Sequence, residues 1–300
     1  MRLFERLLFV LLYGVSLLPM RVLYLVSNLL AYLAFSGIGY RKQIVMSNLE
    51  IAFPEKSYEE RVAIAKEFYL NFCDAMVESI KLISADNRLI DKLFIADPEV
   101  VKEVERIEKN IQIHAMHNFS WEIVNLGVAR ELKLPFLGVY QPITNQFFND
   151  LFKKIRSRNG TILIPANDFK NNFIPHSDKQ YAIALVADQN PSNLTKAWWV
   201  NFFSKPAPFV MGPENAARLR DTAVLFANFY KVKRGLYSFS VEKFTDTPAD
   251  LAPGELTRQY VKYIERKTRE RPANYLWSHR RWKYPYKSEY SGQALGEINI

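Results

Sequence analysis

From Ile111 onward, short apolar runs alternate with runs of helical period, and this alternation restricts the fold more than any other feature of the chain. The pattern predicts strands at 111–116, 135–140, 161–165, 181–187, 223–230 and 236–243, and helices at 119–131, 145–157, 212–221 and 254–270. Strands separated by helices imply an α/β fold, a mixed sheet flanked by helices. With 300 residues, 49% of them apolar, the chain has ample material for a large core, as one domain or two. No internal repeat, low-complexity segment or clear linker divides it.

The first 110 residues read differently. Residues 7–38 are almost continuously apolar, interrupted by Pro19 and Arg21. Each half alone falls short of the roughly 20 residues that span a bilayer as one helix. Either one helix kinks near Pro19 and spans, or two short helices form a hairpin or lie in the interface with Arg21 snorkelling to the headgroups. A single N-terminal anchor within residues 1–40 is the expected form. The flanking charges, Arg2 and Arg6 before and Arg41 and Lys42 after, are too even to orient it. Residues 41–300 then form the remaining domain, helical over 41–110 and α/β over 111–300. Within the helical part, Ser57 with Glu59 and Glu60 opens a run in which Val62, Ile64, Ala65, Phe68, Tyr69, Phe72, Met76 and Ile80 recur at helical spacing.

An excess of 40 Lys+Arg over 31 Asp+Glu gives a net charge of +9, which favours an acidic partner. The lone cysteine, Cys73, excludes an intrachain disulfide and a cysteine-based zinc site. Near the C-terminus, Tyr275-Leu276-Trp277-Ser278-His279-Arg280-Arg281-Trp282-Lys283-Tyr284 interleaves aromatics with cations. That composition suits anionic headgroups or single-stranded nucleic acid. With an apolar N-terminal segment on the same chain, a membrane is expected and nucleic acid is not.

Chemistry centres on His117-Asn118-Phe119-Ser120-Trp121-Glu122, which follows the first predicted strand. Five positions separate the histidine from the glutamate, about 140° round a helix, so the two side chains can meet only across a strand-to-helix junction. Glu122 in the first helical turn is also favoured by the helix dipole. The spacing of His114, His117 and Glu122 matches no helical zinc pattern, and no G-x-S-x-G nucleophile turn occurs. Two other stretches offer polar side chains. Lys153-Lys154-Ile155-Arg156-Ser157-Arg158-Asn159-Gly160 reads either as an ordinary basic helix end or as an anion clamp. The strand ending Ala187-Asp188-Gln189 places two polar residues where α/β sheets gather their sites.

Taken together, these blocks resemble the lipid A biosynthesis acyltransferases, the lauroyl and myristoyl transferase family of Gram-negative bacteria. The resemblance rests on an ordered series: the apolar N-terminus, Asn48-Leu49 to Pro54-Glu55, His117 with Trp121-Glu122, Tyr140-Gln141-Pro142, Arg156 to Gly160, Ala187-Asp188-Gln189, Phe202-Phe203, Gly212-Pro213 and Trp277 to Lys283. It implies a fold similar to the glycerol-phosphate acyltransferases and an enzyme at the bacterial inner membrane with its catalytic domain facing the cytoplasm. It also implies transfer of a fatty acyl group from acyl carrier protein to a hydroxyl of a phosphorylated glycolipid acceptor, a lipid A precursor, with no metal or bound cofactor. In that reading His117 is the general base, Glu122 orients it, Arg156 or Arg158 binds substrate phosphate or stabilises the oxyanion, and Asp188 and Gln189 belong to the site wall. The alternatives are a different lipid acceptor, such as a glycolipid or amino-acid lipid, and a non-catalytic lipid-binding protein on the same scaffold.

The sequence departs from that pattern around the histidine. Met116 and Phe119 stand where the family favours glycine, and Gln141 replaces a basic residue. A bulky Phe119 is expected to crowd backbone that glycine relaxes.

Overall fold

The structure, a computed structural model, describes residues 3–298; Arg2, one of the flanking charges, lies outside them. The apolar N-terminus is broken at Pro19 into α1 (Leu3–Leu17) and α2 (Met20–Tyr32), the latter continuing into a π turn at Leu33–Gly37. Met20–Gly37 is long and apolar enough to cross a membrane by length and composition. One face of α2 lies along a later helix: Leu23, Ser27 and Ala31, four residues apart, are buried, whereas Leu25, Leu29, Leu30 and Tyr32 are exposed.

Two longer helices and a pair of short ones follow. α3 (Lys42–Ala52) stops short of Pro54. α4 (Tyr58–Lys81), against which α2 lies, opens with a reciprocal capping box between Ser57 and Glu60 and presents Ala65, Phe68, Tyr69 and Cys73 to the core. α5 (Asn87–Leu93) and α6 (Pro98–Glu105) are capped by Asp86 and Asp97.

All six expected strands form one sheet. They are β1 (Ile111–Ala115), β2 (Phe136–Tyr140), β3 (Ile162–Pro165) and β4 (Ala182–Val186), then the later pair at Ala223–Lys233 and Leu236–Thr245. Between β1 and β2 runs α7 (Trp121–Glu131), between β2 and β3 α8 (Gln146–Arg156), and before β4 the short α9 (Phe169–Phe173). A separate antiparallel hairpin, β5 (Ala197–Phe202) and β6 (Lys205–Val210), precedes α10 (Gly212–Arg220). The later sheet strands are therefore β7 and β8, followed by α11 (Glu255–Glu270). The order is β3-β2-β4-β1-β7-β8, parallel except for the β7–β8 pair.

Alternation along the strands divides the core in two. In β7, Val224 and Phe226 join the layer built by α3, α4, β5, β6 and α11, while Leu225, Ala227 and Phe229 join the layer built by α5, α6 and α7. The sheet is thus covered on both faces, which is why β1 is buried throughout and reads as an apolar run. The sequence pattern did not reveal β5–β6 because Pro206 and Pro208 lie in the second strand; a two-stranded hairpin tolerates them at its edge.

Candidate active site at the strand ends

Parallel pairing of β1 with β4 sets Ala115 beside Val186. Two residues further on along each strand are His117 and Asp188, so the register itself delivers them to the same place beyond the carboxyl edge of the sheet. There Asp188, 1% exposed, grips His117 twice. Its Oδ1 lies 2.5 Å from the ring Nδ1 and its Oδ2 accepts the backbone N–H at 3.1 Å. Burial works to raise the Asp188 carboxyl, but the charge and hydrogen bonds of His117 hold it below the usual carboxylate range. An ionised Asp188 can only accept, so Nδ1 carries the shared proton, and in the neutral ring Nε2 is the nitrogen with the lone pair. The His117 side chain is 26% exposed, open enough to meet a substrate.

Behind this pair lies a shell of buried polar groups. Tyr260 from α11 donates to the Ala115 carbonyl and accepts from the Ala187 N–H at 3.3 Å, tying the two strand ends together. Tyr260 and Tyr275 are raised well above the ordinary phenol value by burial and by the Asp188 charge, so both stay neutral. Arg281, fully buried, donates to Asn190 Oδ1 and the Pro208 carbonyl, each at 2.8 Å, with its guanidinium over Phe209. Its pKa is lowered by burial and supported by Tyr275 and Asp188. His279 accepts the Asn190 N–H at 3.2 Å through Nε2, and burial pushes it down to about 4.

The C-terminal stretch expected at a membrane interface is therefore folded back over the site, with Tyr275, Trp277 and Arg281 buried. Asn48 on α3 holds that stretch through bonds to the Trp277 and His279 carbonyls, both 2.7 Å. Sequence reasoning noticed these residues but not their place, because their neighbours lie far away along the chain.

Glu122 occupies the first turn of α7 as expected, but the carboxylate that meets the imidazole is Asp188. Glu122 instead receives Arg156 in a bidentate pair, Nε to Oε2 at 2.9 Å and Nη2 to Oε1 at 2.6 Å, together with Trp121 Nε1 at 2.8 Å. Burial opposes the Arg156 charge, yet Glu122 more than offsets it, and Tyr140 at the end of β2 adds support, so the guanidinium is held above its usual value. The basic turn thus divides. Arg156 joins the site, whereas Arg158 donates to the Ala85 and Ile83 carbonyls after α4, at 2.7 and 3.4 Å. Gln189 follows Asp188 and is half-buried. His114 stands apart on β1, fully buried beside Gln112 and the rings of Phe226 and Tyr260, and burial holds it down to about 3.

The turn itself solves the problem posed by Phe119. That side chain is buried against Phe68 and Phe72 of α4, its ring centroid 5.5 and 6.2 Å from theirs. Asn118 is fixed by bonds to Asn228 Oδ1 at 2.6 Å and the Phe229 carbonyl at 2.8 Å. The left-handed conformation falls one residue later, on Ser120 at φ 61°.

The histidine–carboxylate pair lies beyond the parallel strands of a mixed α/β sheet, where folds of this class gather their sites. A model of the bacterial lipid A biosynthesis acyltransferases matches residues 3–284, and the chain belongs to that family. It is 24% identical over 271 residues to the lipid A biosynthesis palmitoleoyltransferase of Escherichia coli, covering 89% of this chain and 86% of that protein. It is 25% identical over 272 residues to the lipid A biosynthesis lauroyltransferase of the same organism, covering 89% and 87%. A lipid A biosynthesis acyltransferase of Shigella flexneri is similar to the same extent as the first, 24% over 271 residues.

Proposed function

We propose that this acyltransferase is membrane-associated and moves a fatty acyl group from the thioester of acyl carrier protein to a hydroxyl of a phosphorylated lipid A precursor, with His117 as base and Asp188 as its orienting carboxylate. The observation that carries the mechanism is the double grip of buried Asp188 on His117. His117 Nε2 takes the acceptor hydroxyl proton as the oxygen attacks the thioester carbonyl. The tetrahedral intermediate then collapses with cleavage of the C–S bond, and the imidazolium returns the proton to the departing sulfur. Asp188 stabilises the imidazolium during that interval.

Arg156 is the phosphate contact of choice. Its Nε and Nη2 are taken by Glu122, which leaves Nη1 for an incoming anion and fixes the plane in which it is presented. Arg158 is better explained as a staple for the loop after α4. The exposed apolar faces of α1 and α2 suit a bilayer, and exposed Lys153 and Lys154 beside the site suit an acidic carrier protein. A cytoplasmic face at the inner membrane follows from the carrier protein as donor.

Purified protein supplied with an acyl carrier protein thioester and a lipid A precursor is expected to release thiol and yield a product heavier by one acyl group. Mass spectrometry of lipid A from cells with and without the protein identifies acceptor and chain together. Stabilisation by lipid with no turnover on any acyl donor would point instead to a lipid-binding protein.

A further inference from the structure

Ser120 is the first residue of the helix-opening turn between His117 and Glu122, and its geometry is abnormal for its position. At φ 61° and ψ 29° it is left-handed, a conformation that residues with a Cβ disfavour. A serine preceding a helix usually caps the first turn with its hydroxyl, but this one makes no such bond. Its Oγ instead donates across the interior to Glu78 Oε2 of α4, at 2.5 Å.

Glu78 is 1% exposed and no cation pairs with it among the described residues. Its bonds come from hydroxyls alone. Tyr237 of β8 contacts both oxygens at 2.9 Å, and Tyr24 of α2 donates to Oε1 at 2.7 Å. Burying a carboxylate without a counter-charge is costly, and burial pushes this one up to about 7. One turn away on α4, Asp74 takes the charge of Arg234 and the hydroxyl of Ser27, so the cation nearby is spent on a different acid. A group this expensive, aimed at the one strained residue of the catalytic turn, has a use there.

We infer that Glu78 is a positioning residue for acyl transfer: it holds Ser120 in the left-handed turn that fixes His117 relative to Glu122 and Arg156, and Tyr24 ties the same carboxylate to α2. The inference rests on the reading of His117 as the base. A hydroxyl–carboxylate bond enforces the backbone conformation that glycine adopts unaided.

Substitutions at Ser120 separate positioning from mere stability. Ser120→Ala keeps the Cβ penalty and loses the bond, while Ser120→Gly loses the bond and the penalty together. In acyl transfer from an acyl carrier protein thioester to a phosphorylated lipid A precursor in detergent micelles, kcat of Ser120→Ala is expected to fall about tenfold, with KM for both substrates little changed. Ser120→Gly should recover most of that loss. Glu78→Ala should behave like Ser120→Ala and be rescued by adding Ser120→Gly. If Glu78→Ala does not fold, the Ala/Gly pair at Ser120 still decides. Equal kcat in the folded Ser120→Ala and Ser120→Gly proteins overturns the inference, as does a loss confined to KM. His117→Ala is the control: if it retains activity, the reading of the base has failed, whatever the Ser120 variants do. If it is inactive while the Ser120 variants match one another, only the role of Glu78 falls.

Discussion

Two buried carboxylates flank the turn that carries His117, and they have opposite partners. Asp188, at the end of β4, faces an imidazole, two neutral phenols and the more distant Arg281. Glu122, in the first turn of α7, faces a guanidinium that binds it through two nitrogens. A carboxylate already neutralised by arginine has little charge to offer an imidazolium, whereas one whose nearest cation is the imidazolium itself has its full charge available. The division of labour therefore follows from which cation each acid meets. Sequence distance is a poor guide to it, since Asp188 is 71 residues from His117 and Glu122 is five.

Substitutions can break or sharpen this contrast. The largest effects on turnover should come from the first pair. His117→Ala is expected to lose on the order of 10³ to 10⁴ in kcat, and Asp188→Asn on the order of 10² to 10⁴, with folding preserved in each. Single-turnover kinetics with a labelled thioester would show the loss in the chemical step. The second pair should respond mainly in substrate binding and stability. Arg156→Lys keeps a charge without the fork, so KM for the phosphorylated acceptor should rise about tenfold with a smaller change in kcat. Glu122→Gln leaves the largely buried Arg156 without its acid and should cost about 3 kcal/mol in denaturant unfolding.

Acid should act through the site from a third direction, with the smallest effect. His114 and His279 are held down to about 3 and about 4 from an ordinary value of 6.5, so each is neutral in the folded protein and gains a proton when it unfolds. Their stabilisation is complete above pH 6.5 and is lost as pH falls toward 4 for His279 and toward 3 for His114. Glu78, raised from 4.5 to about 7, runs the opposite way: it favours the fold below pH 4.5, and that contribution declines as pH rises to 7. Between pH 6.5 and 4.5 two histidines oppose one carboxyl, so the net expectation is a falling unfolding midpoint. Thermal denaturation from pH 7 to 5 measures it, and His114→Gln should flatten the fall.

Most of the sheet was legible because its strands are short apolar runs between helices of clear period, as Ile111–Ala115 and Ala182–Val186 illustrate. The junction that holds His117 and Glu122 was legible for the same reason. The partner of His117 was not, since it depends on the insertion of β4 between β2 and β1, and strand order leaves no local trace. With the order known, the register of Ala115 with Val186 points straight to His117 and Asp188. The burial of Trp277 and Arg281 was hidden likewise, because aromatics interleaved with cations suit a membrane surface and a stacked interior equally well.

The pairing of His117 with Asp188 can be observed directly through the ¹⁵N resonances of the His117 imidazole in detergent-solubilised protein. In the neutral ring of the unsubstituted protein a proton on Nδ1 and a free Nε2 are expected, a pattern kept in Glu122→Gln and lost in Asp188→Asn. An imidazole that ignores Asp188→Asn and changes with Glu122→Gln would contradict it.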